Sequence, residues 1–247
     1  MSLIFYENGI EYIVERYYED PGYAFTNGIS DDAGARFVGP AGGLIFYDRG
    51  SYGYDATGPF SEANGGLPWR YLELSPIYTD SETGGSTAGF MRWGRGDILT
   101  GATAGADGYN ASGAPVALTH DGSGLSNSYK MWAVNQNRSY YSAYDALEAT
   151  NSIVYCFGLH AGGYSDWYLP SAGEYYYIWW NLVSNRAGSN FGRGSNTALS
   201  GTGFASGTYW SSTEDSLTTA WRQYFGEGFQ DAITKNNITR VRAVRRF

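Results

Sequence analysis

The sequence predicts an α+β domain, and three observations predict it. Two segments with helical spacing lie in the middle of the chain, over about 142–157 and from 171 onward. Everything after Gly207 reads as strands and turns. The segments between are loop-like rather than a regular strand–helix alternation, so the sheet is expected to be antiparallel and the helices segregated from it. The implied architecture is two helices and a small twisted antiparallel sheet with long loops.

The elements follow in order. Leu3–Tyr6 and Ile10–Val14 are β-rich runs on either side of Asn8-Gly9, a hairpin signal. Residues 17–40 are turn-rich, with Pro21-Gly22, Asn27-Gly28 and Asp31-Asp32. Gly43–Tyr47 and Trp69–Leu74 read as strands, and 79–129, dominated by Gly, Ser, Thr, Ala and Asp, as long loops with short strands at most. In the first helical segment, Ser142–Phe157, Ala146, Ala149, Ile153 and Cys156 share one side. The second opens on Pro170-Ser171 with Glu174 three residues later, a capping box. Tyr175, Ile178, Trp179 and Leu182 then follow at helical spacing, as a core-facing stripe. Thr208–Thr213, Ala220–Phe225 and Phe229–Thr234 are strands separated by turns. Lys235-Asn236-Asn237 turns the chain again, and Arg240–Phe247 reads as a terminal strand, with Val241 and Ala243 on one side and Arg242 and Val244 on the other.

Length and composition bound the function. With 247 residues, of which 43% are hydrophobic, the chain suits one large domain. No segment approaches the ~20 apolar residues of a membrane span. Met1–Tyr6 has no basic n-region, and Glu7, Glu11 and Glu15 follow at once, so a secretory signal is not expected here. A net charge of −8 argues against a nucleic-acid partner. The one basic cluster, Arg240, Arg242, Arg245 and Arg246, is expected to serve salt bridges and sheet-edge protection. The single cysteine, Cys156, can form no internal disulfide and reads as a buried apolar side chain. The 23 Tyr and 35 Gly suit either of two things. One is a loop-rich fold filled by aromatics. The other is a binding surface, since Tyr offers large amphipathic contact at low entropic cost.

Specific motifs appear from residue 162. Gly162-Gly163-Tyr164-Ser165-Asp166-Trp167-Tyr168-Leu169-Pro170-Ser171 with Glu174, then Tyr209-Trp210-Ser211-Ser212-Thr213-Glu214, occur in order. They are followed by Ala220-Trp221, Phe225, Gly228, Gln230, Lys235, Arg240–Arg245 and Phe247. Upstream stands Gly42–Tyr47. These blocks resemble a bacterial and phage domain family with a C-type lectin fold, of the subtype shared with formylglycine-generating enzymes. It includes the variable proteins of diversity-generating retroelements. The resemblance implies a single C-type-lectin-like domain over 1–247. Residues 1–41 would be an N-terminal hairpin and extension, and 42–247 the lectin-fold body, with a variable ligand-binding region at about 209–247.

In such proteins a reverse transcriptase rewrites adenines, chiefly in asparagine codons, between fixed scaffold residues. The slots so implied here are Asp215, Ser216, Leu217, Thr218, Thr219, Arg222, Tyr224, Gly226, Phe229, Asp231, Ala232, Ile233, Thr234, Asn236, Asn237, Ile238 and Thr239. Nearly all are residue types reachable by changing the first two bases of an asparagine codon; Glu227 is not. Tyr224 and Phe229 are the expected anchors. Trp167, Trp210, Trp221 and Gly228 are the expected scaffold, the tryptophans by burying area and the glycine by its turn.

Enzymatic readings fare worse. A cysteine pair of the formylglycine-generating kind is missing, and His120 and His160 lack a second histidine at metal-ligand spacing. There is no G-x-S-x-G elbow, phosphate loop, or Glu-Pro-Asn or Gln-Pro-Asp calcium motif. Asp31-Asp32, Asp107-Gly108 and Asp121-Gly122 could at most hold a structural Ca²⁺. The expectation is a non-enzymatic receptor or adhesin without cofactor, on a virion or cell surface, taking a protein or glycan partner, with multimerisation as a source of avidity. The alternatives are a fixed-specificity surface adhesin or structural domain and, after those, an oxidoreductase of the same fold.

Overall fold

A computed structural model describes residues 3–7, 10–14, 39–55, 60–76, 90–96, 98–102, 123–136, 151–179, 207–226 and 228–247. The N-terminal hairpin is present. Strands β1 (Leu3–Glu7) and β2 (Ile10–Val14) pair antiparallel, with Leu3 opposite Val14 and Glu7 opposite Ile10. The Asn8-Gly9 turn itself lies outside the described residues.

Two further sheets form the body. In the first, β4 (Trp69–Leu74) lies between β3 (Ile45–Gly53) and β10 (Val244–Arg246), antiparallel to both. In the second, β5 (Phe90–Arg92), β9 (Ile238–Arg240), β6 (Thr208–Glu214), β7 (Thr219–Tyr224) and β8 (Gln230–Thr234) lie side by side in that order. Its pairings are antiparallel except β6 with β9, which run parallel through Tyr209 and Arg240. The α+β class holds. The single small antiparallel sheet does not, because the C-terminal chain divides between two sheets.

The reason lies at residues 241–243. The terminal strand expected over 240–247 is interrupted there. Tyr175 takes over the backbone of Arg242: its hydroxyl donates to the Arg242 carbonyl (2.9 Å) and accepts the Arg242 N–H (3.1 Å). The Arg242 guanidinium is buried and donates through Nε to the Ser75 carbonyl at 3.0 Å. Arg242 is thus satisfied outside either ladder, and the Ala243 carbonyl accepts the Ser75 N–H (2.9 Å) next to β4, so the segment crosses from one sheet to the other.

The helices also differ from expectation. Helix α1 (Ser123–Gln136) begins inside the stretch read as loops. Helix α2 (Ser152–Gly158) does not continue back through 151. Asn151 is extended, and its side chain accepts the Val154 N–H at 3.1 Å, as an N-cap does. Residues 142–150 of the expected helix lie outside the described residues. Helix α3 (Ala172–Ile178) carries the predicted capping box: Ser171 Oγ accepts the Glu174 N–H (3.1 Å), and Glu174 Oε2 accepts the Ser171 N–H (2.8 Å).

The core has two parts. One gathers Trp93, Met131, Ile153, Cys156, Trp167 and Trp210; the other Phe46, Trp69, Leu72, Tyr168, Tyr175 and Phe225. Cys156 is buried as expected, and burial pushes its thiol well above the ordinary range. Buried indoles find backbone acceptors: Trp93 Nε1 donates to the Ser211 carbonyl (2.7 Å) and Trp210 Nε1 to that of Met91 (2.9 Å).

Candidate ligand-binding face

Residues 215–239 build a surface from β7, β8 and the turns around them. In the β7–β8 ladder Arg222 is opposite Asp231, and Gln223 opposite Gln230. Side chains alternate across a sheet, so these two pairs point to opposite faces. Gln223 and Gln230 point inward: Gln230 Nε2 donates to Gln223 Oε1 (2.5 Å) and to the Ala172 carbonyl at the start of α3 (2.8 Å). Arg222 and Asp231 point outward and form an ion pair of 2.8 Å. The Arg222 guanidinium also lies 4.7 Å from the Tyr224 ring, which stacks on Phe229 at 3.9 Å and 20°. Cation, ring and ring thus form one continuous layer, with Phe229 41% exposed.

The turns add a second part. Asp215–Thr219 is a turn held by its own hydroxyls, with Thr219 Oγ1 donating to Asp215 Oδ2 (2.5 Å) and Ser216 Oγ accepting the Thr219 N–H (3.2 Å). Leu217 at its tip is 48% exposed, and Ile238 57%. Asp215, Thr218, Gly226, Thr234, Asn236 and Asn237 are exposed; Ser216, Thr219, Ala232 and Ile233 are half-buried. Thr239 corrects the expected set: it is buried at 1% exposure, between β5 and β6 in the sheet, and cannot reach a ligand.

Beneath this surface lies an ionic lock that the sequence reading did not assign. Lys235 and Glu214 are 2.6 Å apart with essentially no solvent contact. Each Lys235 proton has an acceptor: Glu214 Oε1, the Ile98 carbonyl (3.1 Å) and the Leu217 carbonyl (2.9 Å). Glu214 in turn accepts the Thr100 and Gly101 N–H groups at 2.9 and 3.0 Å. The ammonium also sits 4.7 Å from the Trp93 ring centre. The pair therefore fastens the loop around 98–101 and the 215–219 turn to the end of β6. Glu214 closes the YWSSTE block and Lys235 stands in a predicted turn, but nothing in their spacing announced a pair.

Of the expected scaffold residues, Trp167 and Trp210 are buried. Gly228 has φ of +83°, and a Cβ there would fall 2.0 Å from Trp179 Cζ2. Both backbone and space thus require glycine. Trp221 differs: it is half-buried rather than enclosed.

The arginines divide as charge and burial dictate. Arg245 is fully buried between Glu73 (3.4 Å) and Asp166 (2.9 Å), and Arg246 pairs with Asp55 at 2.8 Å. Arg240 lies over the Phe90 ring at 4.5 Å. Glu73 also accepts the N–H groups of Ala41 (3.0 Å) and Gly43 (2.8 Å). Burial pushes its carboxyl up to about 7, against the pull of Arg245 and these two donors.

Among the described residues no group of three or more His, Cys, Asp or Glu side chains could hold a metal ion, and His160 is exposed. His120 and the pairs Asp31-Asp32, Asp107-Gly108 and Asp121-Gly122 lie outside the described residues. No described helix is long and apolar enough to cross a membrane.

These features define a mixed α+β domain with an exposed surface at 215–238 set on a buried polar floor. Residues 125–245, just under half of the chain, match the family described as the Lcl C-terminal domain. No curated protein matches the chain.

Proposed function

We propose that this is a non-enzymatic ligand-binding protein with a C-type-lectin-type fold, whose surface at 215–239 takes a protein or glycan partner and is diversified by a retroelement. One observation carries the reading: the partition of residues along this stretch. Every proposed contact residue except Thr239 has exposed surface, whereas the intervening Ala220, Gln223, Phe225, Gln230 and Lys235 are buried. Apart from Ile233, which packs against the core opposite Ala220, exchange at the first set leaves the packing of the second in place, which is what a rigid support under replaceable contacts requires. The match to the Lcl C-terminal domain spans all of the proposed contact residues. Display on a virion or cell surface, with avidity from multimerisation, belongs to the same reading.

Sequencing the 3′ end of the gene across a natural population tests it. Substitutions should gather in the exposed slots and spare the buried residues between them; even spread over the gene would leave a binding domain of fixed specificity. At the protein level, Tyr224→Ala and Phe229→Ala should abolish retention on the target surface. Each should cost no more than about 1 kcal/mol in urea unfolding, the worth of one ring pair. Loss of folding in both variants would make these rings scaffold instead.

A further inference from the structure

We propose a second binding site, for a neutral saccharide, in the trough between the 60–69 segment and helices α1 and α2. The trough encloses about 1130 Å³, and no described residue of 215–239 lines it. Its wall is a chain of rings from three separate elements. Phe60 meets Tyr129 at 5.0 Å, Tyr129 meets Phe157 at 5.1 Å, and Phe157 meets Trp132 at 5.4 Å. These rings are not closed over: Tyr129 is 48% exposed, and Leu67 across the trough 76%.

The polar groups decide the ligand class. Ser165 and Asp166 are exposed on the lining. The Asp166 carboxylate is held in place by Arg245, through Nε at 2.9 Å and NH2 at 3.0 Å, yet half of its side chain remains open. Arg245 also meets Glu73, whose burial keeps that carboxyl protonated below about pH 7, so there the guanidinium balances Asp166, which is a fixed acceptor. Arg246 pairs with Asp55 and lies over Phe60 (5.2 Å) and Trp69 (5.7 Å). An aliphatic ligand would cover Asp166 and Ser165 without giving them hydrogen bonds, at a desolvation cost. An ionic ligand would find no unbalanced partner among these groups. A pyranose meets both demands: its C–H face packs on the rings, and its hydroxyls donate to Asp166 and Ser165. The site is separate from the proposed variable face, so either can fail without the other.

The test is a titration of the full chain with cellotriose, maltotriose and chitotriose at millimolar concentration, followed by the NMR signals of fluorinated tryptophans. At least one sugar should shift the Trp132 signal and leave that of Trp221 unchanged. Tyr129→Ala should weaken this sugar about tenfold, the equivalent of one lost ring contact. Phe229→Ala should bind it as the parent does. If Tyr129→Ala does not fold, the choice between Trp132 and Trp221 decides alone. The proposal is overturned if no sugar moves Trp132, if Trp221 moves instead, if folded Tyr129→Ala binds like the parent, or if decanoate shifts Trp132 where the sugars do not.

Discussion

Two ion pairs at the five-stranded sheet, each of one cation and one carboxylate, have opposite surroundings. Lys235–Glu214 is closed to solvent, while Arg222–Asp231 keeps side-chain exposures of 18% and 39%. The buried pair ties together loop, turn and strand from three parts of the sequence; the exposed one links two neighbouring strands. Removing two charges from water costs several kcal/mol, and Lys235 and Glu214 recover it only by filling their hydrogen-bonding positions. Such a pair permits no partial replacement. The exposed pair stays partly hydrated, so either member can be exchanged for many side chains. A surface can vary freely when the lock that shapes it lies one layer below.

The largest effect should come from breaking the lock. Lys235→Met leaves the Glu214 carboxylate buried without its cation, and the expected loss is about 3–5 kcal/mol in urea unfolding. A loss below about 1 kcal/mol would remove the distinction between the two pairs.

A third pair, Glu73–Arg245, sharpens the comparison through pH. Because Glu73 is raised from its ordinary value of 4.5 to about 7, the folded protein holds this proton more tightly than the unfolded chain. Its contribution is therefore fully present below about 4.5, declines as pH rises to about 7, and is flat above. Glu73→Gln should remove that decline from the pH dependence of the urea midpoint. Equal slopes in parent and variant would mean that Arg245 and the two backbone donors keep Glu73 ionised.

The smallest effect belongs to the surface. A double-mutant cycle over Arg222→Ala and Asp231→Ala should give a coupling of about 0.2–1 kcal/mol. A value above about 2 kcal/mol would place this pair with the buried ones and argue against free exchange at both positions.

Features set by local chemistry were legible in the sequence. The Asn8-Gly9 hairpin, the Ser171–Glu174 capping box and strands β4, β6, β7 and β8 all stand close to where their residues predict them. Helix α1 was not legible, because it carries no apolar stripe of the usual kind. Its sequence, SGLSNSYKMWAVNQ, mixes Ser, Asn and Gly with few apolar residues. It is anchored partly by polar contact: Ser128 Oγ donates to the Leu169 carbonyl (3.1 Å) and accepts the Leu169 N–H (3.0 Å). Asn151 looked like one more residue in a helical run, whereas its side chain starts the helix. On the candidate face, exposure followed from strand and turn positions, but Thr239 is covered by neighbouring strands that its own sequence does not identify. The Lys235–Glu214 lock and the break at 241–243 depend on partners more than twenty residues away in the first case and on Tyr175 in the second, and local pattern holds no trace of either.

The crossing from β9 to β10 makes residues 244–247 part of the support of the three-stranded sheet. Val244, Arg245 and Arg246 form one edge of the three-stranded sheet, and the Phe247 carbonyl accepts the N–H groups of Arg70 and Tyr71 at 2.8 and 3.0 Å. Any frameshift or premature stop within the codons for 215–240 would delete this edge along with the buried Arg245. The body would then lack a strand of one sheet and the cation between Glu73 and Asp166. Errors in the exposed stretch that disturb the reading frame are thus converted into failure to fold, and their products into substrates for proteolysis. Folding itself would act as the proofreading step.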